Sequence, residues 1–597
     1  MPTRSRSAAC LLALLHVCMS TKALNHRILR TSKAGVTTTT CGLGIDCSPT
    51  PYTSRVIGTR TKQYSTDCLW SDQRQKHPPR LPGPCSSSPT KISATERPFT
   101  SSTLDLLLPL LKSPKQPELF LLDLHFDNHV PEFHPSHQLP HRTSSKALPL
   151  TEGESRKPRQ KTTPGFLDHH HNGELVSKAM IGGALRHRVE SIDPEFCDAG
   201  DEDTFFVADL GHVYRQHLRW KKNLPRVKPF YAVKCNPDPK VLRLLAELGN
   251  GFDCASKTEI KQVLDMGVDP SRIIYAQPCK TNSYVRYVAA EGVRQMTFDN
   301  ADELYKIAKL FPEAELYLRI LTDDSSSLCR LSLKFGASLD ATDGLLALAR
   351  ELGLNVVGVS FHVGSGASDP LAFLKAVRDA NFVFEQAAAH GFDMKTLDVG
   401  GGFCSDDTFE AMAGVLRDAL DEYFPPHRGV SLIAEPGRYF VSAAFTIACN
   451  VIARRTVEDP NGSVNGSLAA APSYMVYVND GLYGNFSSIM FDHQHPVAKV
   501  LRSSGNFFYN TTDADSPESP SEGIEYSIWG PTCDGIDRIS ESVRFSQTID
   551  VGDWLYFEDM GAYTKCSATR FNGFSDAHDV IYVCSEPAAR AMMLNYI

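Results

Sequence analysis

No Cys-x-x-Cys pair occurs among the 16 cysteines of this 597-residue chain. That spacing marks zinc ribbons and redox dithiols, so the thiols read as reduced side chains of an intracellular protein, with no metal site. No apolar run reaches the roughly 18 residues that a membrane span needs. Positive charge is missing where a nucleic-acid binder would carry it. The net charge of −8 divides into +10 over residues 1–170 and −18 over the remainder. An acidic body suits small cationic substrates and argues against nucleic acid as a partner. What is present is ordinary globular material, 42% hydrophobic and 22% charged, with length for roughly two to four domains.

Acidic residues are absent up to Asp46, while Arg4 and Arg6 precede an apolar stretch from Ala8 to Met19. Residues 1–24 therefore fit a secretory signal or an organelle transit peptide, or sequence carried in by a faulty gene model. Without such targeting, a cytoplasmic location is expected. Residues 25–170 are rich in Ser, Thr, Pro and His and short of periodic segments. Such composition buries too little surface to offset ordering entropy. Residues 1–170 are expected to form a disordered extension, with globular sequence starting near Glu174.

From Thr204 the texture changes. Thr204 to Leu210 reads as a strand and Leu210 to Lys221 as an amphipathic helix. Short apolar strands then recur at 229–234, 251–256, 272–278, 295–300, 315–321, 356–364, 395–402 and 431–438, with helical patterns between most of them. This rhythm matches an α/β (β/α)8 barrel of the TIM type, expected over 195–440. A doubly wound open sheet is the alternative. After Phe440 the pattern becomes β-rich with Gly and Pro turns. Residues 441–597 are expected to form a C-terminal all-β domain, completed by the strand near 204–210, with polar insertions at 458–472 and 502–522.

Polar residues collect at the strand C-termini, where barrels of this kind build their sites. The run Pro229-Phe-Tyr-Ala-Val-Lys-Cys-Asn236 delivers Lys234 to the end of the first strand, where burial would lower its pKa toward a nucleophilic amine. A lysine reaching solvent is the plainer reading of this stretch alone. Strand two carries Asp253, strand five is followed by Arg330, and strand six ends Phe361-His362-Val363-Gly364-Ser365. Gly400, Gly401 and Gly402 follow strand seven. Glu435, Pro436, Gly437 and Arg438 follow strand eight. Bare backbone amides beside an arginine at those two ends form a phosphate cradle. Phosphate opposite a buried lysine points to pyridoxal 5'-phosphate, bound as a Schiff base to Lys234. Glu435 is then the acid for its ring nitrogen, with His362 against the ring face and Ser365 on the phosphate.

The stretches PFYAVKCN, GFDCASKTEI, RIIYAQPCK, CRLSLKFGA, SFHVGSG, LDVGGGF, AEPGRY, VNDGLYGNF, WGPTCDGID and MGAYT with FNGF resemble the eukaryotic ornithine decarboxylase family. These belong to the alanine-racemase-like, fold-type III pyridoxal-phosphate decarboxylases. The resemblance covers about residues 195–597. It implies decarboxylation of L-ornithine to putrescine and carbon dioxide, the first step of polyamine synthesis. It also implies that Lys234, Asp253, Arg330, His362, Ser365, Gly400, Gly401, Gly402, Glu435, Gly437, Arg438 and Tyr563 serve the cofactor. Phe491, Asp492, Asp534 and Phe571 would meet the substrate, the two carboxylates taking its distal ammonium. Cys533 would return a proton to the carbon that loses carbon dioxide, work that a positioned thiol can do near neutral pH. Taken alone, Thr-Cys-Asp-Gly at 532–535 is equally an ordinary turn. The resemblance further implies a homodimer whose partner supplies Cys533 and Asp534, and antizyme as a candidate partner.

Departures from the family pattern are few. Phe491 stands where tyrosine is frequent, Gln277 where asparagine is common, and no acidic, Pro/Ser-rich degradation tail follows Ile597. Two alternatives stay open: a lysine or arginine decarboxylase of the same family, and a non-catalytic homologue resembling antizyme inhibitors. One methylene in a pocket separates substrates only about 10- to 200-fold.

Overall fold

A computed structural model describes residues 166–457, 473–511, 523–594 and 596. The expectations for residues 1–165, and for the loops 458–472 and 512–522, lie outside the described residues. The described chain opens with a helix, Phe166–Glu190, which begins inside the stretch expected to be disordered. Ile181, Leu185 and Val189 are buried on its inner face and join a cluster with Phe205, Trp554 and Tyr556. Their four-residue spacing is the helical signal that finds it.

Strand β1, Phe205–Asp209, is buried along its whole length. Its last residue caps the next helix, Leu210–Asn223, with Asp209 accepting from the Gly211 amide at 2.8 Å. The strands β2 (Val227–Ala232), β3 (Gly251–Cys254), β4 (Ile273–Tyr275), β5 (Gln295–Phe298) and β6 (Glu315–Arg319) follow. β7 (Ser327–Cys329) and β9 (Ser365–Ala367), which lie on either side of β8 (Asn355–Ser360) in the chain, pair as a separate two-stranded antiparallel sheet. After these come β10 (Thr396–Asp398) and β11 (Ser431–Ala434).

Strands β2 to β6 with β8, β10 and β11 form one closed barrel whose neighbours are all parallel. The ring closes where β11 pairs with β2, which excludes the open sheet. Parallel pairing follows from strands too apolar to face water and from amphipathic crossover helices that cover them. In one of these, Pro239–Glu247, Val241, Leu242, Leu244 and Leu245 are buried, Pro239 opens the first turn, and Asp238 accepts from the Lys240 and Val241 amides. Phe230, Ile274, Ala276, Tyr317 and Ile433 form a small core of their own, drawn from four barrel strands, as expected of a barrel filled by side chains.

The second unit of structure is an all-β sheet of nine strands. It contains β12 (Phe445–Val457), β13 (Ser473–Val478), β14 (Lys499–Ser503), β15 (Asn506–Phe507), β16 (Ile524–Trp529), β17 (Arg538–Phe545), β18 (Trp554–Phe557) and β19 (Asp579–Val583). The hairpin of β14 and β15 occupies part of the stretch that composition marked as a polar insertion. Strand β1 pairs antiparallel with β12 and parallel with β19, so chain from before the barrel joins the sheet after it. Two hydrogen bonds then bring this sheet's loops to the barrel mouth. Asn236 Nδ2 donates to the Gly561 carbonyl at 2.8 Å, and the Tyr563 amide donates to the Cys235 carbonyl at 3.0 Å.

Candidate active site

Lys234 does not lie on a strand. β2 ends at Ala232, and the lysine sits in the single 3₁₀ turn Val233–Cys235 that follows. Ala232 is in register with Asp253 on β3, and the turn lets Lys234 Nζ pair with Asp253 Oδ2. The expected lowering of the lysine pKa is overturned. Nor is the lysine buried as expected: its side chain is 41% exposed. Desolvation still disfavours the ammonium, but the carboxylates of Asp253 and Glu435 outweigh it, and the pKa moves upward. The amine is held charged beside its anions rather than neutralised.

Glu435 follows β11 and is buried. Burial first, then Asp398 and Asp253, push its pKa well above the ordinary carboxyl value. Asp398 ends β10 with no exposed surface, and burial raises its pKa to about 7. Three carboxyls, Asp253, Asp398 and Glu435, therefore share this space with two cations, Lys234 and Arg319. Asp253 Oδ1 and Asp398 Oδ2 are buried without a donor among the described side chains and backbone. With both pKa values raised, Asp398 and Glu435 hold protons that a cation brought alongside would displace.

His362 follows β8. Burial first, and then the positive charges of Arg319 and Lys234, hold its pKa well below 6.5, so the ring is neutral. Its Nδ1 accepts from the Gly364 amide at 3.0 Å, which leaves the hydrogen on Nε2. A Cβ at Gly401 would lie 2.7 Å from that Nε2 and 2.9 Å from the Glu435 carbonyl oxygen. Gly400 has φ +66°, and a Cβ there would come within 2.0 Å of the Phe361 carbonyl oxygen. Gly402 also takes positive φ. A Cβ at Gly437 would meet Cys235 Cβ at 2.8 Å. The ends of β10 and β11 thus present bare backbone because side chains do not fit there. Ser365 stands nearby on β9, in register with Cys329 on β7.

Arg438 pairs with Asp492, both side chains being close to nine-tenths buried, and its guanidinium lies 5.4 Å from the Tyr563 ring centre. Asp492 Oδ1 also receives the Cys329 thiol at 3.3 Å. Tyr563 takes φ +55°, the strain that turns the loop toward Cys235. Two expected residues sit less centrally. Arg330 is 47% exposed and pairs with Asp324 at 3.3 Å, a carboxylate that also accepts from the Leu331 and Ser332 amides. Phe491 is 75% exposed.

Cys533, Asp534 and Phe571 form a separate group on the sheet. The Cys533 amide donates to Asn572 Oδ1 at 3.1 Å. Tyr483 donates its hydroxyl to Asp534 and stacks 4.4 Å from Phe571. Motif reading gave no role to Tyr483, Arg319, Cys329 or Asp398. Only Asp398 carries a sequence signal, an acid on the last residue of an apolar strand directly before a glycine triplet.

Residues 210–442 match the family model described as pyridoxal-dependent decarboxylase, pyridoxal binding domain. The chain is 75% identical to the ornithine decarboxylase of Neurospora crassa over 435 residues, which is 71% of this chain and 89% of that one. It is 49% identical to antizyme inhibitor 2 of Xenopus laevis over 417 residues, 69% and 88% of the two chains. Among solved structures, the arginine decarboxylase of Paramecium bursaria Chlorella virus bound to agmatine superposes with a TM-score of 0.59 at 34% identity. That match covers 67% of this chain and all of the other.

Proposed function

The chain belongs to the pyridoxal-dependent ornithine decarboxylases, and from that membership we propose that it converts L-ornithine to putrescine and carbon dioxide at the barrel mouth. The observation that carries this reading is the surplus of buried carboxyl groups around Lys234. The donor set fits pyridoxal phosphate at both ends. The protons held by Asp398 and Glu435 give way to a cation, which a protonated ring nitrogen supplies, and the glycine cradle beside Arg438 offers amides and a guanidinium to a phosphate.

The residues that would hold the cofactor are Lys234 for its aldehyde carbon and Glu435 for its ring nitrogen. His362 would lie against its face. Ser365, Gly400, Gly401, Gly402, Gly437, Arg438 and Tyr563 would hold its phosphate. When bound, the cofactor supplies an electron sink for the pair left behind as carbon dioxide departs. Asp253 keeps the Lys234 amine charged and placed until it is used. His362, neutral and half-buried, adds ring contact without a competing positive charge. Asp492 and Asp534 receive the distal ammonium of the substrate, and an aspartate at each position disfavours substrates ending in a second carboxylate. Cys533 Sγ donates a proton to the carbon that lost carbon dioxide, and Phe491 and Phe571 line the approach.

In this reading Cys533 and Asp534 serve the barrel of a second copy, so the working unit is a homodimer. Support comes from the separation of their hydrogen-bond group from that of Lys234, and from the exposure of Cys533 and Phe571 on a single chain. Antizyme is a further partner in this reading, supported by the similarity to an antizyme inhibitor. The presence of Lys234, Asp253, Glu435 and Cys533 favours an enzyme over a non-catalytic homologue. A reducing compartment, the cytoplasm, suits ten described cysteines that are all unpaired. Among the described residues no helix is long and apolar enough to cross a membrane.

The deciding assay supplies purified protein and pyridoxal phosphate with ornithine, lysine and arginine in turn and measures carbon dioxide release. Turnover of ornithine at the highest kcat/KM is expected. Preference for lysine or arginine, or failure to take up the cofactor, refutes the reading.

A further inference from the structure

Asp492 reaches the barrel mouth from the β-rich unit, on a segment with little hold of its own. It follows a four-residue helix, Ser488–Phe491, and precedes His493, which takes φ +52°. Its backbone bonds run within that segment. The Asp492 amide donates to the Ser488 carbonyl at 3.0 Å, and its carbonyl accepts from Gln494 Nε2 at 2.8 Å. Two donors from the barrel side hold the carboxylate itself. Arg438, after β11, donates to Oδ2, and the Cys329 thiol, at the end of β7, donates to Oδ1 at 3.3 Å.

These donors differ in what else is asked of them. Arg438 also serves the cofactor's phosphate in the proposed reaction, so its charge is divided between two anions. The reaction gives Cys329 no second anion. Its sulfur lies 3.8 Å from the Phe491 carbonyl oxygen, a longer contact to the same segment. Burial first, and then Asp492, push the thiol up to about 11, so it keeps the proton that it donates. Backbone sets its place. Cys329 is in register with Ser365 across β7 and β9, and the Ser327 hydroxyl donates to the Val363 carbonyl at 2.5 Å. At Gly364, with φ +89°, a Cβ would lie 2.5 Å from Ser327 Cβ and 3.0 Å from the Cys329 carbonyl oxygen. β7 therefore rests directly on bare backbone.

We propose that Cys329 is a positioning residue for substrate recognition, whose S–H bond to Oδ1 fixes the Asp492 carboxylate in the orientation that receives the distal ammonium. The proposal rests on the reading of Asp492 as an ammonium site and adds the group that aims it. Cys329 acts through Asp492 and needs no contact with substrate or cofactor. Without it the carboxylate is held by Arg438 alone, and binding the ammonium must also order Asp492.

The test uses the full chain with pyridoxal phosphate. It reads the dissociation constant of putrescine by calorimetry, KM and kcat for ornithine, and the absorbance of the bound cofactor. Cys329→Ala is expected to weaken putrescine binding and raise KM about 3- to 10-fold, the range of one weak hydrogen bond. kcat should move less than KM, because the ammonium is held alike before and during reaction. Cys329→Ser keeps a donor and is expected to recover most of the loss. In an Asp492→Ala background, Cys329→Ala is expected to add nothing, as coupled residues do. Cys329→Val, close in volume and without a donor, repeats the comparison should the Ala variant not fold. Wild-type putrescine affinity in the donorless variant, a Ser variant equally weak, or an additive loss in the Asp492→Ala background overturns the proposal. So does a lost cofactor spectrum, which would place the effect of Cys329 on the phosphate side. If Asp492→Ala binds putrescine like wild type, the ammonium role of Asp492 is lost, whatever Cys329 does.

Discussion

Lys234 is governed by its anions more than by its burial, and that ordering can be measured. Asp253→Asn removes the nearer carboxylate while keeping the side-chain shape. The pH at which Lys234 begins to react with an amine-directed reagent is expected to fall by a unit or more, each unit being about 1.4 kcal/mol between protonation states. No change would mean that Glu435 alone keeps the amine charged. Lys234→Ala is expected to abolish carbon dioxide release, and Cys533→Ala to slow product formation on the order of 10²–10⁴, the usual contribution of a placed proton donor. Cofactor absorbance should survive the second change and not the first. At this scale the sequence was informative about identity and misleading about charge. Lys234, Glu435 and the glycine triplet stand out because strand ends are visible in the apolar pattern. The sign of the Lys234 shift was not, because it depends on how closely Asp253, 19 residues on, and Glu435, after the last barrel strand, approach the amine once the barrel closes.

The elements that carry these residues hold them by caps and close contacts. Asp238 caps the helix Pro239–Glu247 and also accepts from the Tyr582 hydroxyl at 2.6 Å. Asp238→Ala is expected to cost about 1–3 kcal/mol of unfolding free energy, the sum of a lost cap and an unpaired, half-buried hydroxyl, as measured by denaturant titration. Gly437→Ala drives a methyl group into Cys235 and is expected to eliminate cofactor binding while leaving far-ultraviolet circular dichroism unchanged. His217, buried in the helix Leu210–Asn223, has its pKa lowered to about 4, mainly by burial and then by Lys221. The unfolded chain binds that proton near 6.5, so between 6.5 and 4 it carries more protons than the folded one. Stability therefore falls on acidification through that window, and His217→Gln should flatten the slope of the denaturation midpoint against pH. Element boundaries were the least legible feature. Apolar runs marked eight barrel strands, yet apolar residues continue past a strand end and blur where strand gives way to turn, as at Val233. The helix Phe166–Glu190 was hidden because its periodic positions follow immediately on a His-rich, Pro-containing stretch.

On the scale of the whole molecule, the separate groupings of Lys234 and Cys533 make a quantitative prediction. Lys234→Ala and Cys533→Ala chains, each inactive alone, are expected to regain about a quarter of wild-type activity after mixing and subunit exchange. Half of the dimers are then mixed, and one of the two sites in each is intact. No recovery after exchange confirmed by mass spectrometry places both residues on one chain's site. The barrel followed by β structure was readable from the change in texture near Phe440, whereas the partnership of β1 with β12 and β19 depends on contacts that no local pattern encodes. That pairing sets an order of events at the ribosome. β1 emerges early, and its parallel neighbour β19 is among the last segments translated. Until then β1 offers one bare apolar edge, the kind of surface that chaperones hold and that aggregates when unprotected. The loop carrying Tyr563 also emerges after the barrel. Chains truncated upstream of Asp579 lack the strand that covers this edge of β1 and are expected to aggregate where the full chain stays dispersed, as light scattering would show.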